Sequence, residues 1–241
     1  ALIGLSSLNL LAWWITWSIL FREVFVTLLR FWVINKGVIP ASRGGKLKTI
    51  MQIVAISALL LPLPSQLFIL TQILIYFALI LTVKLDNIKI SQKIVEVLTK
   101  KNLTISCAES ITAGLISSYL TSVAGASQVF KGGISAYQDE IKFQILNVDK
   151  KLIETKSSVC EEVAIQMAEN IKNLMHTDLG ISTTGVAGPG SLKNIPVGTV
   201  FVAYVSNDHK ICQKLNLSGT REEIREQTIT HILQLVLQNQ V

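Results

Sequence analysis

The pattern of hydrophobic and polar positions divides the chain into two parts. In the first 83 residues, apolar residues form long runs, and no Asp, Glu, Lys or Arg occurs from residue 49 to residue 83. Such runs predict transmembrane helices at 13–34, 49–63 and 66–83, since a bilayer span needs about 20 apolar residues, or fewer where the flanking residues reach the interface. The chain starts inside an apolar run and without Met, so we expect a fragment that has lost its N-terminus.

From residue 88 the pattern changes to the periods of alternating helices and strands. It predicts helices at 91–102, 111–122, 138–146, 161–175 and 221–238, and strands at 103–109, 129–137, 179–185, 198–206 and 210–218. Strands that alternate with helices indicate a layered α/β domain, and the consecutive strands near the end indicate a mixed sheet. We therefore predict a soluble three-layer αβα domain with a mixed sheet at 85–241, preceded by a transmembrane α-helical segment at 1–84.

The net charge of +6 lies in the predicted membrane part. Residues 1–84 contain seven Lys and Arg residues against one acidic residue, whereas residues 85–241 contain fifteen of each sign. The neutral second part gives no support for a nucleic-acid partner. The loop at 35–48 carries four basic residues and no acid, so the positive-inside rule places it, and after two further crossings the C-terminal domain, in the cytoplasm. We expect a multi-pass protein of the cell membrane, with membrane lipid as a partner.

Three charged residues, Arg22, Glu23 and Arg30, interrupt the first predicted span. Either Arg22 and Glu23 form an internally satisfied pair, or the charged residues form a polar pocket for an anionic headgroup. The stretch "REVFVTLLRFWVINKG" followed by "GKLKT" resembles the C-terminal half of the CDP-alcohol phosphatidyltransferases, most closely phosphatidylglycerophosphate synthase. That family carries an Asp-rich metal and CDP site, and no Asp occurs here before Asp86. The resemblance implies a remnant without transferase activity, whose longer parent could act in phospholipid synthesis.

Four clusters in the second part fall at predicted strand ends or helix starts, where open α/β folds collect their sites. In "CAESITAGLISS", Ser110 is either a helix cap or a nucleophile. In "KGGISAYQDEIK", Lys142 is either a surface lysine or a base beside that serine, and Tyr137 an ordinary strand aromatic or part of the site. The glycines of "STTGVAGPGSLKNIPVGTV" form a plain loop or a phosphate-binding turn. In "LSGTREEIREQ", Arg221 is a surface residue or a phosphate clamp at a helix start.

In this order and spacing, the clusters resemble the CinA C-terminal family, the nicotinamide-nucleotide amidases, over about residues 88–240. The resemblance implies hydrolysis of the amide of nicotinamide mononucleotide, self-association of the domain, and no metal or organic cofactor. By position it implies the catalytic residues Ser110, Lys142, Tyr137 and Thr184, and the substrate-binding residues Glu109, Thr112, Gly133, Gly185, Gly188, Gly190 and Arg221. The three cysteines are far apart without metal-ligand spacing, and the three histidines lie outside the glycine-bearing clusters, so we predict no metal site and no catalytic histidine.

Six positions depart from the usual pattern of this family. Ile111 and Ala113 replace Cys and Gly in AESCTGG, Asp139 replaces Asn in N-E-x-K, Asn194 and Ile195 replace Glu and Lys in EKPVG, and Thr220 replaces Asp in SGDR. The proposed nucleophile and base are unchanged. Two further hypotheses stay open: that the parent protein functions in phospholipid synthesis with the amidase-like domain as a passenger, and that the domain binds a nucleotide without hydrolysing it.

Overall fold

The computed structural model describes residues 65–192 and 195–240, with the backbone alone at 65–82. The chain divides into two units after Leu79, and the unit Ile80–Val241 contains nearly all of the described residues. The predicted spans at 13–34 and 49–63, the basic loop at 35–48 and the charged cluster of the first span lie outside the described residues. Among the residues whose side chains are described, 83–192 and 195–240, no helix is both long and apolar enough to cross a membrane.

The first described helix, α1 (Ser65–Lys101), is longer than the sequence pattern predicted. It begins at Ser65, directly after Pro64, and continues through residue 84 without a break. Residues 66–83 and 91–101 are both helical, as predicted, but the break expected between them is absent. The physical reason is that no Pro or Gly occurs between residues 65 and 101, so nothing in the backbone ends the helix there.

Five strands form one mixed sheet, as predicted. They are β1 (Ile105–Glu109), β2 (Phe130–Ser135), β3 (Leu179–Gly185), β4 (Thr199–Val205) and β5 (Lys210–Asn216). The strand order is β2-β1-β3-β4-β5. Strand β1 is parallel to both of its neighbours, β2 and β3, whereas β3–β4 and β4–β5 are antiparallel pairs.

The remaining helices are α2 (Leu115–Thr121), α3 (Asp139–Gln144), α4 (Lys150–Thr155), α5 (Glu161–Leu174) and α6 (Arg221–Gln238), with a 3₁₀ turn at Ala126–Gln128. Helix α2 begins four residues later than predicted, and α4 was not predicted. The helices lie on the two faces of the sheet. One apolar core contains side chains of α1, α2 and α6, and two smaller clusters contain those of α3, α4 and α5. This arrangement confirms the layered α/β domain, and it explains why all five residues of β1 are buried.

The strand directions determine where the polar clusters meet. Because β1, β2 and β3 are parallel, the segments that follow them leave from the same edge of the sheet. The antiparallel β4 enters at that edge, with Gly185 paired to Val200. The four polar clusters therefore come together at the carboxyl end of the parallel strands.

Candidate active site

A cleft of about 370 Å³ lies at this edge of the sheet. All four polar clusters and the start of α5 contribute to its wall. The lining consists of Ser110, Ile111, Tyr137, Gln138, Asp139, Lys142, Ser158, Val159, Thr184, Gly185, Val186, Ala187, Gly188, Gly190, Ser191, Leu192 and Arg221. The four predicted catalytic residues all line this one cleft, together with four of the seven predicted substrate-binding residues.

Ser110 is the first residue after β1. Its backbone N–H donates to the carbonyl oxygen of Thr183 over 2.9 Å, which continues the β1–β3 ladder by one bond. The side chain does not cap α2, since the N-cap residue is Gly114 and no side chain caps that position. The structure thus excludes the interpretation of Ser110 as a helix cap, and it leaves the hydroxyl at the cleft wall.

Glu109 does not line the cleft, although the family resemblance implied a substrate-binding role. Its buried carboxylate accepts bonds from the backbone N–H groups of Gly114 (2.9 Å), Ile116 (3.0 Å) and Ser117 (2.9 Å) and from the Ser117 hydroxyl (2.7 Å). The Cys107 thiol donates a fifth bond over 3.4 Å. An acid at this place satisfies the free N–H groups of the first turn of α2. Burial first, and then the charge of Glu109, raise the pKa of the Cys107 thiol well above its usual value.

Thr112 and Gly133 also lie away from the cleft. The Thr112 hydroxyl is bonded to the Thr183 hydroxyl over 2.8 Å, and the residue is fully buried. At Gly133, a β-carbon would lie 2.5 Å from the Cys107 sulfur and 2.7 Å from the Ser117 oxygen. This glycine therefore allows β2 to pass close to β1 and α2.

Lys142 is not the surface lysine that its sequence context first suggested. It lies on α3, is only 2% exposed and lines the cleft. Its Nζ donates to Oδ1 of Asp139 over 2.8 Å, in a pair whose lysine side chain is 3% exposed and whose aspartate is 48% exposed. The structure thus brings a buried amine and the Ser110 hydroxyl to the wall of the same cleft.

Arg221 connects three segments at the mouth of the cleft. It is the first residue of α6, and its guanidinium donates to the Gly188 carbonyl over 2.7 Å and to the Tyr137 hydroxyl over 2.9 Å. The start of α6 is fixed by a capping box between Thr220 and Glu223. Thr220, which departs from the family pattern, therefore has a structural role that a threonine fulfils well.

Thr184 lines the cleft near the end of β3. Its hydroxyl donates to the carbonyl oxygen of Ser158 over 2.7 Å, and the residue is fully buried. The bond ties β3 to the segment before α5. Gly188 has a φ of +88°, a backbone conformation that glycine adopts without strain.

Sequence reasoning missed polar residues in and behind the cleft wall, of which Asp139, Ser158 and Arg225 make the contacts described here. Asp139 is bonded to the buried lysine, and Ser158 lines the cleft. Arg225 donates from Nε to the Ile111 carbonyl over 3.1 Å and from its terminal nitrogen to the Thr112 carbonyl over 2.9 Å. Arg225 lies one helical turn after Arg221, so the spacing in "REEIR" was a signal that both point to the same side of α6.

The lining combines a hydroxyl, an amine and a guanidinium. Its ionisable groups in the described residues are Tyr137, Asp139, Lys142 and Arg221. A hydroxyl and an amine that line one cleft are the groups that a serine–lysine nucleophilic attack uses, and a guanidinium at a helix start suits an anionic group. The cleft can therefore serve a negatively charged substrate that has an electrophilic carbon.

Comparisons with known proteins identify a family for each of the two parts of the chain. Residues 87–240 match the family model of the CinA C-terminal domain, and residues 1–84 match that of the CDP-alcohol phosphatidyltransferases. A protein provisionally named competence-damage inducible protein, from Thermoanaerobacter pseudethanolicus, is 41% identical over 152 residues, which cover 63% of this chain and 37% of the relative. One from Bacillus cytotoxicus is 45% identical over 140 residues, 58% of this chain and 34% of the relative. The chain thus spans little more than a third of these relatives.

Solved structures show the same fold for the second part of the chain. The competence/damage inducible protein CihA from Agrobacterium tumefaciens superposes with a TM-score of 0.62 at 29% identity, over 64% of this chain and 94% of that protein. A competence or damage-inducible protein from Enterobacter asburiae gives a TM-score of 0.63 at 25% identity, over 64% of this chain and 98% of that protein.

Proposed function

Because the chain belongs to the CinA C-terminal domain family, we propose that its second part, residues 85–241, hydrolyses the amide of nicotinamide mononucleotide to nicotinic acid mononucleotide and ammonia. One observation carries the proposal: Ser110 and the buried Lys142 line a single cleft whose mouth holds Arg221. A Ser and Lys pair is an established alternative to the Ser-His-Asp arrangement for cleaving amides.

The proposed reaction has two halves. In the first, the Ser110 oxygen bonds to the carboxamide carbon while the neutral Lys142 amine takes the hydroxyl proton. The tetrahedral intermediate then collapses, the carbon–nitrogen bond breaks with its electron pair on nitrogen, and Lys142 returns the proton so that ammonia leaves. In the second half, water attacks the acyl ester, Lys142 takes a proton from that water and gives it to the Ser110 oxygen, and the carboxylic acid is released. The covalent intermediate divides one difficult hydrolysis into two easier steps.

The substrate's phosphate has a place in this proposal. Arg221 is the first residue of an 18-residue helix, and both the helix N-terminus and the guanidinium favour an anion there. Gly188 lies beside it, bonded through its carbonyl. We propose that Arg221 and the glycine-bearing loop hold the phosphate or ribose, while Tyr137 and Thr184 assist near the reacting amide.

The test is ammonia release from nicotinamide mononucleotide by the purified full chain. Ser110→Ala and Lys142→Ala should each lower turnover by at least about 10³-fold, since each removes one half of the acyl-transfer machinery. Ser118→Ala and Lys131→Ala make the same changes at exposed positions outside the cleft and should keep wild-type turnover. Binding of the nucleotide without any turnover by the wild type would overturn the amidase proposal and favour a binding module.

The match of residues 1–84 supports a second proposal, for the longer parent protein. We propose that this segment is the remnant of a phosphatidyltransferase of phospholipid synthesis, and that it keeps residues 85–241 at the cytoplasmic side of the cell membrane. Two measurements test this. Recovery of the upstream sequence should reveal the Asp-rich motif, and the full chain should remain with the membrane fraction after a high-salt wash. Release of the chain into the soluble fraction would contradict the membrane location.

A further inference from the structure

Lys142 has one ionic partner in the part of the chain described, and that partner is Asp139. The two residues are three positions apart on α3, so the helix itself brings them together. The 2.8 Å contact joins an almost fully buried ammonium to a carboxylate that is 48% exposed. Two of the three N–H groups of the ammonium have no hydrogen-bond partner among the described residues, although such groups are normally satisfied when buried.

The other charged groups near the cleft are engaged elsewhere. Arg221 and Tyr137 are bonded to each other over 2.9 Å at the mouth. Glu140, the next residue on α3, accepts a bond from the Gln144 amide over 2.7 Å and does not line the cleft. The remaining polar residues of the wall, such as Ser158 and Thr184, carry no charge. Asp139 is therefore the charged group that acts most directly on Lys142.

We propose that Asp139 is a positioning residue of the amidase reaction: it orients the Lys142 amine toward the cleft and stabilises the ammonium that forms when the amine takes the Ser110 proton. The inference rests on the proposed function and deepens it. Only one proton moves, from the Ser110 oxygen to Lys142 Nζ and then to the leaving nitrogen. The Asp139 carboxylate stays ionised throughout, as the carboxylate of a Ser-His-Asp triad does.

The same contact also opposes the first step of the reaction, for which the lysine must be neutral. A carboxylate at 2.8 Å favours the charged form of the lysine, which cannot accept a proton. Turnover should therefore increase as the pH rises and the amine loses its proton. The related family pattern has Asn at this position, so Asp139→Asn replaces the carboxylate by an uncharged side chain of the same shape.

The experiment compares the pH profiles of ammonia release by the purified full chain and two variants. In Asp139→Asn, the rising part of the pH profile should move to lower pH, because the charged form of the lysine has lost its partner. The plateau at high pH should fall several-fold, because the weaker base accepts the serine proton less readily. Glu140→Gln removes the same charge one residue away, outside the cleft, and should leave both the rising part and the plateau unchanged. A loss by one factor at every pH would indicate a purely structural role and overturn the proposal.

A second readout does not depend on turnover. Acetic anhydride acetylates a lysine amine only in its neutral form. Peptide mass spectrometry of Lys142 acetylation at different pH values therefore shows the pH at which this amine becomes neutral. Labelling in Asp139→Asn should begin at a lower pH than in the wild type, and labelling in Glu140→Gln should begin at the same pH. No shift in Asp139→Asn would overturn the coupling. A wild type that labels as expected but releases no ammonia would overturn the proposed reaction and leave the coupling of Asp139 to Lys142 supported.

Discussion

The carboxylate of Glu109 and the ammonium of Lys142 are both buried, but their surroundings differ. The Glu109 carboxylate accepts five hydrogen bonds, all from its own chain, whereas the Lys142 ammonium donates one, to a half-exposed acid. A buried charge whose bonding capacity is filled by the fold holds the structure together. A buried charge with capacity left at a cleft is available to a ligand. The difference indicates a structural role for Glu109, and it supports the catalytic role proposed for Lys142.

The largest expected effect on stability is that of Glu109→Gln. The amide keeps the shape of the side chain but brings an NH₂ group against backbone N–H donors, so at least two bonds to the carboxylate are lost. We expect the free energy of unfolding to fall by roughly 3 kcal/mol. Urea titration of the full chain measures it, and Glu140→Gln, at an exposed carboxylate, should change it by less than about 0.5 kcal/mol. An equally small change for both variants would show that Glu109 is not the structural residue of the pair.

The next largest loss of stability is expected from a substitution in the tight packing around Glu109. In Gly133→Ala, the new β-carbon would lie 2.5 Å from the Cys107 sulfur and 2.7 Å from the Ser117 oxygen, the two side chains that also bond to the carboxylate. Overpacking here should cost about 2 kcal/mol. At Gly190 a β-carbon would meet nothing within 4 Å, so Gly190→Ala is the matched control. Thermal unfolding of both variants decides whether this region is as tightly packed as the contacts indicate.

Lys142→Met tests the other side of the comparison. The change removes a buried charge and keeps an unbranched chain of similar length, while Asp139 remains in contact with water. The free energy of unfolding should stay the same or rise by about 1 kcal/mol, although ammonia release should be lost. Lys142→Ala, which leaves a cavity, should be less stable than Lys142→Met. Destabilisation by more than about 2 kcal/mol in Lys142→Met would mean that the fold depends on this ammonium.

The smallest expected effect is at the turn between the two groups. Ala113 has a φ of +49°, in the left-handed region, at a position where the related family pattern has glycine. Ala113→Gly relieves this backbone strain but gives the unfolded chain more freedom, so the net gain should be about 0.5 kcal/mol. Ala124→Gly, at a residue without a positive φ, should instead lower stability. The denaturation midpoints of the two variants measure both effects. A lower midpoint for Ala113→Gly as well as for Ala124→Gly would contradict the strain argument.

The periodicity of the chain was enough to predict the five strands and the layered arrangement. Cys107 and Ala108 show why, since adjacent residues of β1 pack into cores on opposite faces of the sheet. The order of the polar clusters was enough to predict that Ser110, Lys142 and Thr184 line one cleft. These features follow from local patterns and from the common direction of parallel strands.

Other features could not be derived from local patterns. The first turn of α2 depends on the Glu109 carboxylate, which reaches N–H groups up to eight residues further along the chain. Sequence alone did not distinguish an acid that binds the substrate from one that caps the helix behind it. The contact of Arg225 with the turn after Ser110 joins residues 114 positions apart, and only the packing of α6 brings them together.

The contacts of Arg221 have a consequence for the thermodynamics of ligand recognition. Two of the five N–H groups of its guanidinium already hold the cleft mouth together without any ligand. The conformational entropy of ordering these segments is therefore lost when the domain folds and not when a ligand arrives. The other three N–H groups have no partner among the described residues, so the anionic substrate proposed above would meet a preorganised site and lose little affinity to loop ordering.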